Sequence, residues 1–264
     1  MGCTSDLGEF EHWFLLPSPG YTVFWVMPET TGDYIVVLLR WIRSLLPKAQ
    51  NVLFHSTRQT VDDFLSLLRS LDPQTSREVS SMGGRVHFVD SYSCRLRLFG
   101  GPVGNSDGVD VRYVTDPSHL EGPGSVLDAY RGLDADGSLE GCIGLEWSLT
   151  DLAVDMGEQA HSKLFASILP TLRFNGATIV GIADWYSHSE TYKARLIHLS
   201  DASILWGVTS GQKKAKYLLP VKRPSPAPAS YYEPVGYEVA PGFFRLSSRR
   251  IRREGREALQ ESYL

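Results

Sequence analysis

The sequence predicts an α/β protein: a mostly parallel sheet in three layers, with helices on both faces and a basic C-terminal extension. Short apolar runs rich in β-branched and aromatic residues alternate with amphipathic stretches of helical period, the pattern of successive βαβ units. The 264 residues, 42% hydrophobic and 21% charged, suffice for one large domain with a sizeable core. The charge is uneven. Residues 213–264 hold eleven Lys/Arg against five Asp/Glu, a balance of +6, so with a net charge of −4 residues 1–212 carry −10.

Taken in order, Tyr21–Val26 reads as a buried strand, followed by a turn at Met27–Gly32. Ile35, Leu38, Leu39, Ile42, Leu45 and Leu46 fall at helical spacing over Tyr34–Leu46, and Pro47 ends that helix. Asn51–His55 is the next strand. Thr60 caps a helix whose first turn holds Asp62 and Asp63, where the helix dipole favours acids. Arg85–Val89 and Val109–Val114 are strands separated by a Gly- and Pro-containing loop over Phe99–Gly108. A helix over Ser125–Leu133 leads to a strand at Gly141–Trp147. Thr150–Phe174 then reads as one long amphipathic stretch interrupted at Pro170 and stopped by Asn175-Gly176. Ala177–Ala183, a helix at Ser189–Leu199 and the strand Ala202–Val208 complete a core over residues 20–211, preceded by an N-terminal segment at 1–19. Beyond it, residues 212–264 supply an edge strand at Lys216–Val221, a Pro-rich linker, a small hairpin from Tyr237–Val239 and Phe243–Leu246, and an arginine-rich tail.

A strand, a short loop and a helix at the start of a domain form the setting of a phosphate-binding loop: Gly, four residues, Gly, Lys, Ser/Thr. The run here is Met27-Pro28-Glu29-Thr30-Thr31-Gly32-Asp33-Tyr34. Gly32 stands at the second glycine, but Met27 replaces the first, Asp33 the lysine and Tyr34 the magnesium-binding hydroxyl. A carboxylate at ~4 Å from a phosphate charge is repelled by about 4 kcal/mol at an effective dielectric near 20. On this loop alone, a βα turn of an unrelated Rossmann-like fold fits equally well.

Further landmarks follow in order. They are Val52-Leu53-Phe54-His55-Ser56-Thr57-Arg58-Gln59-Thr60, Val89-Asp90-Ser91-Tyr92-Ser93, Glu146-Trp147-Ser148-Leu149-Thr150-Asp151-Leu152, Arg173-Phe174-Asn175-Gly176-Ala177-Thr178, and Arg195-Leu196-Ile197-His198-Leu199-Ser200-Asp201. In order and spacing, residues 20–210 resemble the KaiC-like branch of the RecA superfamily, including the archaeal recombinase-paralogue proteins. The resemblance implies a RecA-like P-loop NTPase fold and side-by-side assembly, as a homo-oligomer or with an active paralogue. It also implies that Arg58 and Gln59 stand where active relatives carry paired glutamates, and Trp147 where they carry the Walker B aspartate, with Glu146 one place earlier. An ATPase needs an oriented magnesium ion and a polarised water, so these substitutions predict a non-catalytic protein without a cofactor. Its expected role is regulation or scaffolding through protein contacts.

Two alternatives stay open: a recombination or repair accessory protein binding DNA through Arg249, Arg250, Arg252, Arg253 and Arg256, and a protein retaining residual ATP binding. The nucleic-acid signal is weak, because no aromatic series is interleaved with the arginines. Trp185 and Tyr186, in a loop, are expected to meet a partner, whereas Trp25, Trp147 and Trp206 read as core. His55 and Arg58, at a strand end, read as a polar turn before an anion site. Ser187, His188 and Asp184 lack the setting of a hydrolase triad. Cys3, Cys94 and Cys142 are too dispersed for a metal or disulfide framework, and no leader or apolar span is evident, so a cytoplasmic protein is expected.

Overall fold

In the computed structural model, which describes residues 20–27, 33–98, 109–208, 216–222, 235–240 and 243–250, the chain winds about a central strand, β1 (Gly20–Val26). There follow α1 (Asp33–Leu45), β2 (Asn51–Ser56), α2 (Val61–Leu71), α3 (Pro73–Ser81), β3 (Val86–Asp90), α4 (Ser93–Leu98) and β4 (Asp110–Tyr113). Next come α5 (Val126–Ala135), β5 (Cys142–Glu146), α6 (Leu149–Met156), α7 (Glu158–Phe174), β6 (Thr178–Asp184), α8 (Glu190–Leu199) and β7 (Ala202–Val208). Three further strands are β8 (Lys216–Lys222), β9 (Val235–Ala240) and β10 (Phe243–Arg250). All ten lie in one sheet in the order β10-β9-β8-β7-β1-β6-β5-β2-β3-β4. The run from β7 to β4 is parallel, and β8, β9 and β10 extend it antiparallel. The mostly parallel three-layer α/β fold expected from the sequence is therefore what forms.

Strand alternation builds the two outer layers. Phe24 and Val26 of β1 face α1, α2 and α3, packing with Leu38, Trp41, Phe64, Leu68 and Val79. Tyr21, Val23 and Trp25 face α5, α6, α7 and α8, packing with Leu127, Leu152, Phe165 and Leu196. The helices start as their caps dictate: Thr60 accepts from the Asp63 N–H, and Ser125, Ser148 and Ser189 accept likewise at α5, α6 and α8.

Three local expectations are corrected. The long helical stretch breaks at Gly157, whose φ of 83° is easy only for glycine, and not at Pro170, which lies inside α7. A proline costs a helix one N–H bond, here to the Ala166 carbonyl, and that position faces outward where water or another molecule can satisfy it. The expected edge strand, β8, is flanked on both sides by β7 and β9, with a register shift between Ser203 and Ile204 beside Pro220. Two helices had no clear sequence signal. One is α3, polar in composition and started by the Asp72 cap and Pro73; the other is the six-residue α4. The expected hairpin is present as β9–β10. The loop at 99–108, the prolines 224, 226 and 228 and the tail arginines from 252 onward lie outside the described residues. Among the described residues, no helix is long and apolar enough to cross a membrane.

Candidate functional site

The helices that follow β1 and β6 lie on opposite faces of the sheet, so a crevice opens where the carboxyl ends of β1, β2, β5 and β6 meet. Ligands of open α/β sheets gather at such switch points. Met27 leaves β1 buried, and its backbone N–H donates to the Trp206 carbonyl. Pro28–Gly32 lie outside the described residues, as does the Asp33 side chain. Tyr34, in the first turn of α1, is packed edge-on against Trp206 with ring centroids 6.1 Å apart. Burial raises the pKa of its phenol, against the opposing pull of Arg58.

Arg58, just past β2, forms the ionic centre of the crevice. Its Nε donates to Asp151 at 2.5 Å and its Nη2 to Asp184 at 3.4 Å. Asp151 comes from the first turn of α6 and Asp184 from the end of β6. Partial burial works against the guanidinium charge, but the Asp151 hydrogen bond and the two carboxylates outweigh it, so the pKa is raised. The neighbouring Gln59 buries its side-chain nitrogen without a hydrogen-bond partner.

Trp147 turns away from this cluster. It packs edge-on against Phe64 at 5.2 Å, in the layer of α1, α2 and α3. Glu146, one residue earlier, points through the opposite face into a closed polar network. The Tyr21 and Tyr130 hydroxyls donate to its carboxyl, and His55 Nδ1 lies 3.1 Å from Oε1. The other ring nitrogen of His55 is 2.8 Å from Ser91 Oγ. Burial pushes Glu146 up to about 8 and His55 down to about 3, so both are held neutral near pH 7. Gly181 makes the network possible, since a Cβ there would stand 2.3 Å from the Tyr21 hydroxyl.

Glu146 and Trp147, adjacent in sequence, are thus separated by the sheet, and neither carboxyl nor indole belongs to the Arg58 cluster. His55 is sealed in the interior, so it joins no anion site with Arg58. His188 is also tied inward: its Nε2 is 2.9 Å from Thr150 Oγ1 and its Nδ1 3.1 Å from Glu158 Oε1. Thr150 in turn accepts from the Asp184 N–H at 2.8 Å, so this chain of contacts braces the end of β6. Burial lowers the His188 pKa although Glu158 opposes it.

Trp185, expected at a partner contact, is instead 5% exposed. It packs edge-on against Trp25 at 5.5 Å, with the Lys193 ammonium over its ring. Its loop position suggested the surface, but its backbone N–H donates to the Val26 carbonyl and so continues the sheet inward. Tyr186 is 55% exposed, with its hydroxyl 3.9 Å from the Met27 sulfur. Trp185→Ala is expected to cost about 3 kcal/mol in urea unfolding, and Tyr186→Ala to stay within about 0.5 kcal/mol of the parent. Equal losses would contradict this assignment. Arg249 and Arg250 fall at the end of β10, and their side chains lie outside the described residues, as do Arg252, Arg253 and Arg256.

Sequence reasoning missed the roles of Asp151 and Asp184 as partners of Arg58 and of Tyr21 and Tyr130 as partners of Glu146. The first two stand a few residues past β5 and at the end of β6, where side chains converge with the end of β2. That convergence could have flagged them as the partners of Arg58. Tyr21 and Tyr130 gave no signal, because apolar packing explains a tyrosine in a strand or on a helix equally well.

No family model matches the chain, and no curated protein matches it. Solved structures do. An uncharacterized protein of Pyrococcus horikoshii, PH0321, solved in complex with an unknown peptide, superposes with a TM-score of 0.63 at 13% identity. That match covers 95% of this chain and 100% of that one. The KaiC-like protein PH0186 from the hyperthermophilic archaeon Pyrococcus horikoshii OT3 superposes with a TM-score of 0.58 at 12% identity, covering 88% of this chain and 91% of that one. At these identities the likeness concerns the fold: the chain has a RecA/KaiC-like fold.

Proposed function

We propose that this chain is a non-catalytic RecA/KaiC-like protein that acts as a regulatory or scaffolding subunit through protein contacts. The observation that carries the reading is the Arg58 cluster. The crevice holds a built-in cation between two carboxylates, with the phenol of Tyr34 beside it and Asp33 at the start of α1. That donor set does not fit a magnesium triphosphate. Asp151 and Asp184 are already paired with Arg58 and keep a net negative charge that would repel a triphosphate, Trp147 offers no oxygen, and Glu146 is buried in another layer. The unknown peptide in the PH0321 structure supports a binding role for a relative in fold.

Binding of a fluorescent ATP analogue with Mg²⁺ tests the proposal. The wild type is expected to show no saturable binding at micromolar concentrations, and Asp33→Lys to bind more tightly than the parent. Micromolar binding by the wild type that Asp33→Lys fails to strengthen would overturn it.

One observation favours a second reading, residual nucleotide binding: the buried Gln59 nitrogen is a donor without an acceptor, and an anionic oxygen would satisfy it. DNA binding through the tail rests on the +6 balance of residues 213–264. On that reading, deleting residues 247–264 abolishes DNA binding; retention of binding removes the tail's role.

A further inference from the structure

The second and more exposed feature of the molecule is a groove of about 720 Å³ between α7 and α8. The two helices pack against each other, and small side chains, Ala166 and Ala194, are among the residues that line the groove. Two cations, Lys163 and Arg195, and His198 stand along it, and no acidic residue lines it. Among the described residues neither cation is paired with a carboxylate. Positions one helical turn before and after each on its own helix are Gln159, Ala160, Ala166 and Ser167 for Lys163, and Thr191, Tyr192, His198 and Leu199 for Arg195. None could neutralise it in place. These unpaired charges sit on a body that carries −10 over residues 1–212. Where α7 ends, Phe174 is the most exposed large hydrophobic side chain among the described residues, at 91%.

We infer that the α7–α8 groove docks an amphipathic helix of a partner protein, with its apolar edge on Ala166 and Ala194 and its acidic edge against Lys163 and Arg195. Alanines at facing positions let a third helix approach closely, as ridges settle into the groove between two helices. The length from Thr191 to Leu199 is about 12 Å, which suits two to three turns of the incoming helix. This inference rests on the protein-contact reading and gives it a surface and a partner chemistry.

The test uses the full chain and a short fluorescein-labelled helical peptide with Leu on one face and Glu on the other. A second peptide has Lys in place of each Glu. Fluorescence anisotropy is expected to show the acidic peptide binding at least about tenfold more tightly than the basic one, with the difference shrinking as salt is raised. Lys163→Glu/Arg195→Glu, a double exchange at exposed positions, is expected to reverse the preference while leaving the circular dichroism spectrum unchanged. Absence of binding, equal binding of both peptides, or a preference that survives the double exchange would overturn the inference. So would self-association in sedimentation that the double exchange abolishes, because the occupant would then be a second copy of this chain. The failure of the protein-contact reading is distinguishable, since it is read from ATP binding at the crevice, which the groove substitutions do not touch.

Discussion

Between pH 6.5 and 8 the wild type is expected to lose about 2 kcal/mol more stability than Glu146→Gln. The sign follows from the proton count. Glu146 has a usual value of 4.5 and is raised to about 8 in the folded protein by burial. Over that range the unfolded chain has released the proton while the folded chain still holds it. Each pH unit therefore removes about 1.4 kcal/mol from the fold. His55 works in the opposite sense: burial lowers it from 6.5 to about 3, so its contribution disappears as the pH falls through that range. His161, equally buried and also lowered to about 3, acts in the same sense as His55, so between pH 4.5 and 6.5 the two histidines outweigh the carboxyl. Well above 6.5 the histidines are neutral in both states and the carboxyl dominates, while the buried Cys142 thiol is pushed up from 9.0 and unfolding releases its proton only above that value. An amide at position 146 keeps hydrogen-bonding capacity for the two tyrosines and His55 but has nothing to ionise. Urea unfolding at pH 6.5 and pH 8 checks the point, and parallel losses in the two proteins would rule out Glu146 as the source.

Trp206→Ala is expected to cost about 3–5 kcal/mol, the range for emptying a fully buried indole site. Its ring meets Phe24 at 5.9 Å, Tyr34 at 6.1 Å and Tyr237 at 5.1 Å. It also donates its N–H to the Tyr237 hydroxyl. The residue therefore joins the central strand, the start of α1 and the added strand β9. Beyond the loss of stability, Tyr34 would lose the wall that fixes it beside Arg58. Chemical unfolding reads the first effect, and the environment of Tyr34 by NMR reads the second. A loss below about 1 kcal/mol would mean that the site collapses around the smaller side chain.

The fold was legible because its signals are periodic. Tyr21–Val26, Asn51–His55 and Ala177–Ala183 carry continuous apolar runs that only a doubly covered strand requires. Thr60, Ser125 and Ser189 announce their helices by capping chemistry. Signals without periodicity were weaker. Pro170 looked like a helix break because sequence alone does not tell which face is open to solvent, whereas Gly157 broke the helix through its backbone angle. Of the candidate site, Asp33, Tyr34 and Arg58 could be singled out by their position along the chain. The pairing of Arg58 with Asp151 and Asp184 could not, for it joins residues separated by 93 and 126 positions. Nor could the opposite destinations of Glu146 and Trp147 be assigned, since a strand-end residue has two faces available and only the packing chooses between them. Trp185 misled for the same reason, as a loop residue whose backbone still follows the sheet.

One edge of the sheet bears on how this molecule can meet others. Among the described residues β4 is the last strand on its side, only four residues long. Its charged side chains are already engaged: Asp110 with His87, and Arg112 with Asp136. A short border of this kind, with its side chains already engaged, offers little template for a foreign strand to continue the ladder. Growth by strand addition is thereby discouraged at this border, so a copy of the chain meeting it does not find a ready ladder to extend.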